Sequence, residues 1–311
     1  MAENLIVIGS GPSGLTSAIY AARANLSPLV LTGQEIGGQI ALTDEVENYP
    51  GFPDGVTGPE LVELMQKQAQ KFGARVEIDV VEKVDLKTHP FRLETQNGNT
   101  YEAKSLIIAT GASPRRLGVP GERELTGRGV SYCATCDGFF FRGKEIAVVG
   151  GGDSALQEGL FLTRFASKVH VIHRRDSLRA QPILQDRARE NPKMNFVWNS
   201  VVKEIKGNGS VQKLVVEDTR SGAVSDLPAQ GIFVYIGHIP NTSLFKGQLE
   251  MNEEGYLKVD EYLHTSIPGV FAAGESHDHH FRQAVVSAGF GCMAEMEAEK
   301  FLAAWEHAHK K

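Results

Sequence analysis

Leu5-Ile6-Val7-Ile8-Gly9-Ser10-Gly11-Pro12-Ser13-Gly14 decides the fold of this 311-residue chain. Four consecutive apolar residues predict a buried strand, and the glycines behind them predict a tight turn. Leu15 to Ala24, rich in alanine, predicts a helix, and Pro28 to Leu31 a second strand. Strand, glycine turn, helix and strand in this order open a dinucleotide-binding unit. Gly9 permits the turn, Gly11 lets backbone approach a pyrophosphate, and Gly14 lets the helix lie close to the sheet. The helix N-terminus adds unpaired N–H groups and a partial positive charge. An ordinary glycine turn is the plainer alternative. The acid expected near a ribose about 20 residues on has one candidate, Glu35, slightly off the simplest position.

The same grammar returns mid-chain. Glu145 to Val149 predicts a strand, Gly150-Gly151-Gly152-Asp153-Ser154-Ala155 the turn, Leu156 to Phe165 a helix, and Val169 to Ile172 the next strand. Ala155 replaces the third glycine, an allowed variant. Three further apolar runs end in small residues: Leu106 to Ala112, Gly231 to Gly237, and Val270 to Glu275. Such strand ends form ligand crevices at the carboxyl edge of doubly wound sheets. Ala284 to Ala304 carries helical spacing. The predicted fold is therefore α/β, with two Rossmann-like dinucleotide-binding domains, one inserted into the other. Turn-rich stretches place the first domain at 1–113 and 243–311 and the insertion at 114–242.

Charge narrows the function. A net charge of −6 and a pI near 6.0 argue against a nucleic-acid binder, which would be basic. The basic end from His307 to Lys311 reads as a solvated tail. No run of about 18 apolar residues suggests a membrane span, and the N-terminus does not resemble a signal peptide, so a cytoplasmic protein is expected. Behind the second unit's second strand stand His173, Arg174 and Arg175, with Arg179 beyond. Guanidinium forks match phosphate geometry, which favours NADPH over NADH; a solvated basic loop is the alternative. Cys133-Ala134-Thr135-Cys136 is either a redox pair or half of a zinc site. The histidines at 277, 279 and 280 are the only cluster that could complete such a site, and no metal is expected. Asp137 is a candidate acid or a plain turn residue before Gly138. The third cysteine, Cys292, reads as a small buried thiol.

Taken together, the blocks resemble bacterial-type thioredoxin reductases, within the pyridine nucleotide–disulfide oxidoreductases, over nearly the whole chain. They are G-S-G-P-S-G at 9–14, G-G-Q at 37–39, E-N-Y-P-G-F-P at 47–53, A-T-G-A at 109–112, C-A-T-C-D-G at 133–138, G-G-G-D-S-A at 150–155, H-R-R-D at 173–176, G-H-I-P-N-T at 237–242, T-S-I-P-G-V-F-A-A-G at 265–274 and R-Q-A at 282–284. The resemblance implies FAD on Gly9, Gly11, Pro12, Gly14, Glu35, Gln39, Asn48, Ala109, Thr110, Gly111, Gly274, Glu275, Arg282, Gln283 and Ala284. It implies NADPH on Gly150, Gly152, Asp153, Ser154, His173, Arg174, Arg175 and Arg179. It further implies a Cys133–Cys136 disulfide that the flavin reduces at Cys136, with Asp137 as acid. Rotation of one domain on the other, thioredoxin as protein substrate and a homodimer complete what the family implies. Glu275 stands where the family mostly has Asp, and Ser13 where Ala is common. A peroxiredoxin-type disulfide partner is the alternative within the fold, and a non-catalytic zinc- or nucleotide-binding protein the alternative outside it. Peroxiredoxin-linked relatives carry an extra N-terminal thioredoxin-like module, whereas this chain begins at its first dinucleotide strand.

Overall fold

The structure, a computed structural model, describes residues 2–309 apart from 44, 45 and 47; Glu47, which opens the 47–53 block, lies outside the described residues. The chain forms two compact units. One comprises residues up to Ser113 and from Ile239 onward, the other Pro114–His238. Residues 239–242, assigned to the insertion on sequence, pack with the first unit.

In the first unit the parallel strands Arg75–Glu77, Leu29–Leu31, Glu3–Ile8, Thr100–Ile108 and Val270–Ala272 lie side by side in that order. Phe91–Thr95 and Val81–Asp85 extend the sheet antiparallel from the far end of Thr100–Ile108. Successive side chains of a strand alternate between faces. Leu5 and Val7 accordingly enter one core with Phe271 and the helices, while Ile6 and Ile8 enter another with Leu29 and Leu106. Burial on both faces explains the unbroken apolar run that opens the chain; each such side chain contributes about 1.5–3 kcal/mol. The strand expected at 106–112 ends at Ile108, and Gly111 takes a left-handed φ of 66°.

The second unit repeats the plan. Met194–Val197, Lys168–Ile172, Glu145–Val149, Ile232–Val234 and Val130–Ser131 form a parallel sheet in that order. An antiparallel three-stranded sheet, Ser200–Gly207, Val211–Asp218 and Val224–Pro228, covers one side. Helix Asp153–Leu162 covers the other. It starts earlier than the apolar spacing predicts, because Gly152 already serves as its N-cap.

Helix Pro12–Arg23 and the final helix, Ala284–His309, meet through small residues. A side chain on Gly291 would run into the Ser13 carbonyl. The Ser17 Oγ lies 2.9 Å from the carbonyl oxygens of both Ser13 and Gly291 and donates its one proton between them, which fits the same close approach. One turn beyond Gly291, Glu295 is 2% exposed, and its Oε1 has no hydrogen-bond partner. Burial, helped by Glu299, pushes its carboxyl up to about 7. The folded chain thus keeps a proton that the unfolded chain releases near 4.5, so this residue lowers stability progressively as pH rises from there to 7 and fully above it. We expect Glu295→Gln to gain about 2 kcal/mol relative to wild type between pH 4.5 and pH 8. Denaturant melts at both pH values check this, and a pH-independent difference would refute it.

Candidate active site

The first glycine turn is built by close backbone approach. Gly9, at φ 109°, sits so close to the Ala109 carbonyl that any side chain would overlap it, and a side chain on Gly14 would overlap the carbonyl of Gly9. Gly11 differs: it has an ordinary φ of −67°, and the nearest atom to a methyl there would be the Gly37 carbonyl at 3.8 Å. Helix Pro12–Arg23 begins with Pro12 and has no side-chain cap. Its first amides therefore point outward unpaired, as a phosphate site requires. The Gly37 amide donates to Ser10 Oγ at 3.1 Å, which holds the G-G-Q loop, with exposed Gln39, beside this turn.

Other expected residues assemble in the same unit. Asn48 Nδ2 donates to Gln283 Oε1 at 3.4 Å, across 235 positions of sequence. Thr110 Oγ1 is buried and has no hydrogen-bond partner, an atom shaped for a ligand's polar group. Gly274, at φ 70°, packs its backbone on Ser13 Oγ. Glu275 follows; burial pushes its carboxyl up to about 7, with Arg282 opposing and Asp278 adding. Asp278 accepts the amides of His280, Phe281 and Arg282. Burial pulls its carboxyl up, but these three bonds hold it below the ordinary carboxylate value. They also fix Arg282 in a left-handed conformation, φ 53°, immediately before Gln283 and the first residue of the final helix, Ala284. Sequence reading missed Asp278 as the organiser of this loop, although an Asp four residues before the Arg-Gln-Ala block is an Asx-turn signal. His277 is held neutral, burial pulling its ring down to about 4. Glu35 is exposed, and among the described residues no bond joins it to the others. An uncapped helix start, an open Gly11, an orphaned Thr110 hydroxyl and a recessed carboxylate together fit the phosphates and hydroxyls of FAD.

In the second unit, Gly150 meets the Tyr235 carbonyl as Gly9 meets Ala109. Gly152 is open, at the uncapped start of helix Asp153–Leu162. His173 sits apart from the exposed arginines, and its buried Nε2 has no hydrogen-bond partner. It is 6% exposed, its ring lies under Gly151, and burial, with the nearby arginines, lowers its basicity. It supports the turn from below. Arg174, Arg175 and Arg179 are exposed and form no ion pair among the described residues. The amides of Arg179 and Ala180 both donate to the Gly151 carbonyl, and Gln181 N donates to Asp153 Oδ1 at 2.6 Å. The arginine loop and the glycine turn are thereby one rigid piece, which fits a pyrophosphate and a second phosphate of NADPH.

Cys133 follows the edge strand Val130–Ser131 and caps the short helix Ala134–Asp137. It forms a disulfide with Cys136. Both sulfurs are thus engaged with each other rather than available as metal thiolates, and no grouping of three or more His, Cys, Asp or Glu suited to a metal exists among the described residues. Cys136 N–H donates to Cys133 Sγ at 3.2 Å, and the Ser131 hydroxyl bonds both N and O of Cys133. Beside the pair, Phe139 and Phe140 are 46% and 36% exposed. Sequence reading passed over them; three successive phenylalanines, of which only Phe141 reaches the core, were the available signal. Cys292 is half-exposed rather than buried: it lies beside Met296 on the final helix and beside the Tyr20 hydroxyl of helix Pro12–Arg23.

Residues 3–291 match the family described as pyridine nucleotide-disulphide oxidoreductase. The chain is 51% identical over 304 residues to a thioredoxin reductase of Streptomyces coelicolor, covering 97% of this chain and 94% of that protein. A bifunctional thioredoxin reductase/thioredoxin of Mycobacterium leprae is 50% identical over 310 residues, covering 99% of this chain and 67% of that protein. The crystal structure of thioredoxin reductase from Streptococcus pyogenes superposes with a TM-score of 0.91 at 46% identity, covering 96% of this chain and 98% of that one.

The two glycines separate fold from ligand. We expect Gly11→Ala to leave the melting of flavin-stripped protein unchanged and to weaken FAD binding about tenfold, since its methyl meets only the ligand. Gly9→Ala should instead destabilise the stripped protein by about 2–4 kcal/mol through backbone overlap and a forced positive φ. Flavin titration and thermal melts of both variants test this; equal melting loss in the two would contradict it.

Proposed function

The chain belongs to the pyridine nucleotide-disulphide oxidoreductase family and, within it, to the bacterial-type thioredoxin reductases, and from that membership we propose how its residues divide the reaction. It is an NADPH-dependent flavoenzyme that reduces the disulfide of thioredoxin. The observation that carries the assignment of residues is the Cys133–Cys136 disulfide, set at the carboxyl edge of the same parallel sheet that presents the arginine loop.

FAD would lie on Gly9, Gly11, Pro12, Gly14, Thr110, Glu275 and the 282–284 segment, and NADPH on Gly152, Ser154, Arg174, Arg175 and Arg179. When bound, FAD relays two electrons from NADPH to the disulfide. Those electrons break the S–S bond. The Cys136 amide, already donating to Cys133 Sγ, stabilises charge on the departing sulfur, and Asp137 supplies its proton. The Cys136 thiolate then attacks one sulfur of the thioredoxin disulfide and forms a mixed disulfide. Cys133, losing its proton, attacks Cys136, expels the second thioredoxin thiol and restores the starting bond. The exposed Phe139 and Phe140 offer apolar area beside this exchange.

We read the chain as a cytoplasmic homodimer. No helix among the described residues is long and apolar enough to cross a membrane. Tyr20, Met293 and Met296 are exposed on the two helices that pack together in the first unit, an apolar area suited to a second copy; sedimentation at twice the chain mass would support it.

NADPH oxidation followed at 340 nm with thioredoxin tests the assignment. Cys136→Ser should lower thioredoxin-dependent turnover by on the order of a thousandfold while NADPH still bleaches the flavin. Asp137→Asn should lower it by on the order of a hundredfold. Full thioredoxin turnover in Cys136→Ser, or none in the wild type, would overturn the assignment.

A further inference from the structure

Beside the redox helix, the second unit carries a groove of about 330 Å³ that the reaction above does not use. Thr135, the residue between the two cysteines in the short helix, stands at its rim. Leu160, Phe161 and Arg164 come from the end of helix Asp153–Leu162 and the turn behind it, and Leu184 and Arg187 from helix Pro182–Glu190. The floor is apolar, Gln157 and Glu158 add polar atoms along the helix Asp153–Leu162 side, and Arg164 and Arg187 stand at the flanks.

The two arginines are exposed, and neither is paired with a carboxylate among the described residues. Some other cations in this unit are paired, Arg189 with Asp186, Arg220 with Asp176 and Lys213 with Asp226, while the arginines of the nucleotide loop are left open as these two are. The Arg164 guanidinium lies 5.2 Å over the Phe161 ring, which holds it extended across the surface. Phe161 meets Phe165 edge-on at 5.5 Å, and Phe165 meets Phe139 at 6.3 Å. Arg142 lies 4.7 Å over Phe139. A continuous row of aromatic rings, two of them capped by guanidinium groups, therefore joins the groove to the exposed phenylalanines beside the disulfide. A position near a helix C-terminus alone favours a cation, but it explains neither the apolar floor nor the continuity with the redox pair.

We propose that this groove is a docking surface for the protein disulfide substrate, taking an apolar side chain between Leu160 and Leu184 and acidic side chains at Arg164 and Arg187. The proposal rests on the thioredoxin reductase reading. A local cationic field suits an acidic partner on a chain whose own net charge is −6, since the overall charge would otherwise repel it; patches of this kind act mainly on encounter and on its salt dependence.

The test is steady-state reduction of thioredoxin by the holoenzyme carrying Arg164→Glu with Arg187→Glu, and by the milder pair Arg164→Gln with Arg187→Gln. NADPH-dependent ferricyanide reduction, which bypasses the dithiol, reports on folding and flavin in each. The reversed pair should raise KM for thioredoxin about tenfold and the neutral pair about threefold, with kcat unchanged. The fall of kcat/KM with added salt should flatten in the same order. A wild-type KM and salt slope in the neutral pair would overturn the groove while leaving the enzyme assignment intact. A wild type that reduces ferricyanide but not thioredoxin would overturn the enzyme assignment itself, and the groove with it.

Discussion

Both units depend on a side chain that is not there. In each, the first glycine of the turn lies against the carbonyl just past the end of a neighbouring strand, Ala109 after Thr100–Ile108 and Tyr235 after Ile232–Val234. A single Cβ at either glycine would separate turn from strand. Because the contact is backbone on backbone, it brings the helix N-terminus, the glycine amides and the strand ends into one crevice, at the carboxyl edge where ligands bind in such sheets. The third position shows how the two copies differ. Gly14 is pressed against Gly9, whereas in the second unit Ala155 is accommodated, its Cβ filling the space that a Gly150 side chain would take.

Motifs whose chemistry is backbone geometry were legible in the sequence. The paired glycine turns, the apolar strands before them and the long final helix follow from residue type and spacing alone. The sulfur pair was legible as a C-x-x-C motif, but residue type left a redox pair and half of a zinc site open, and the disulfide came from the resemblance. What sequence could not resolve were properties set by the surroundings. His173 sits in a basic run and looks like its companions, yet its ring is turned under Gly151 and three backbone or carboxylate bonds lash the arginine loop to the turn. Cys292 sits among small residues and looks buried, yet Gly291 and Ala294 take the centre of the contact with Pro12–Arg23 and leave the thiol at its half-exposed edge beside Tyr20. The return crossing falls at His238 because Asn241 binds back to Thr110 and Gly111 in the first unit, a pairing that no turn signal announces.

Recessed carboxyls make the first unit sensitive to protonation in two unlike places. Glu295 lies between packed helices, and its raised affinity for a proton is a cost of burial with Glu299 adding to it. Glu275 is raised by the same cause, but in the crevice with Arg282 nearby to offset it. A bound group with hydroxyl donors would offset it further, and so the two residues should respond differently to flavin: the titration of Glu275 moves when FAD is present and that of Glu295 does not.

The second unit places its cations by a different logic. Surface ion pairs contribute little to stability, about 0–1 kcal/mol, so leaving an arginine unpaired forfeits almost nothing in the fold. It does, however, keep a charge available for an incoming anion. Four of the unpaired guanidinium groups lie at the two ends of one helix: Arg174, Arg175 and Arg179 are tied to its first turn through Gly151 and Asp153, and Arg164 lies just past its last. The redox pair packs against the same helix, since Ala134 shares a core with Ala155 and Leu162. One rigid rod of ten residues therefore fixes the nucleotide cradle, the disulfide and the substrate groove relative to one another. A substitution in its buried face, at Leu156 or Leu162, should disturb all three together, whereas a change at either end disturbs one.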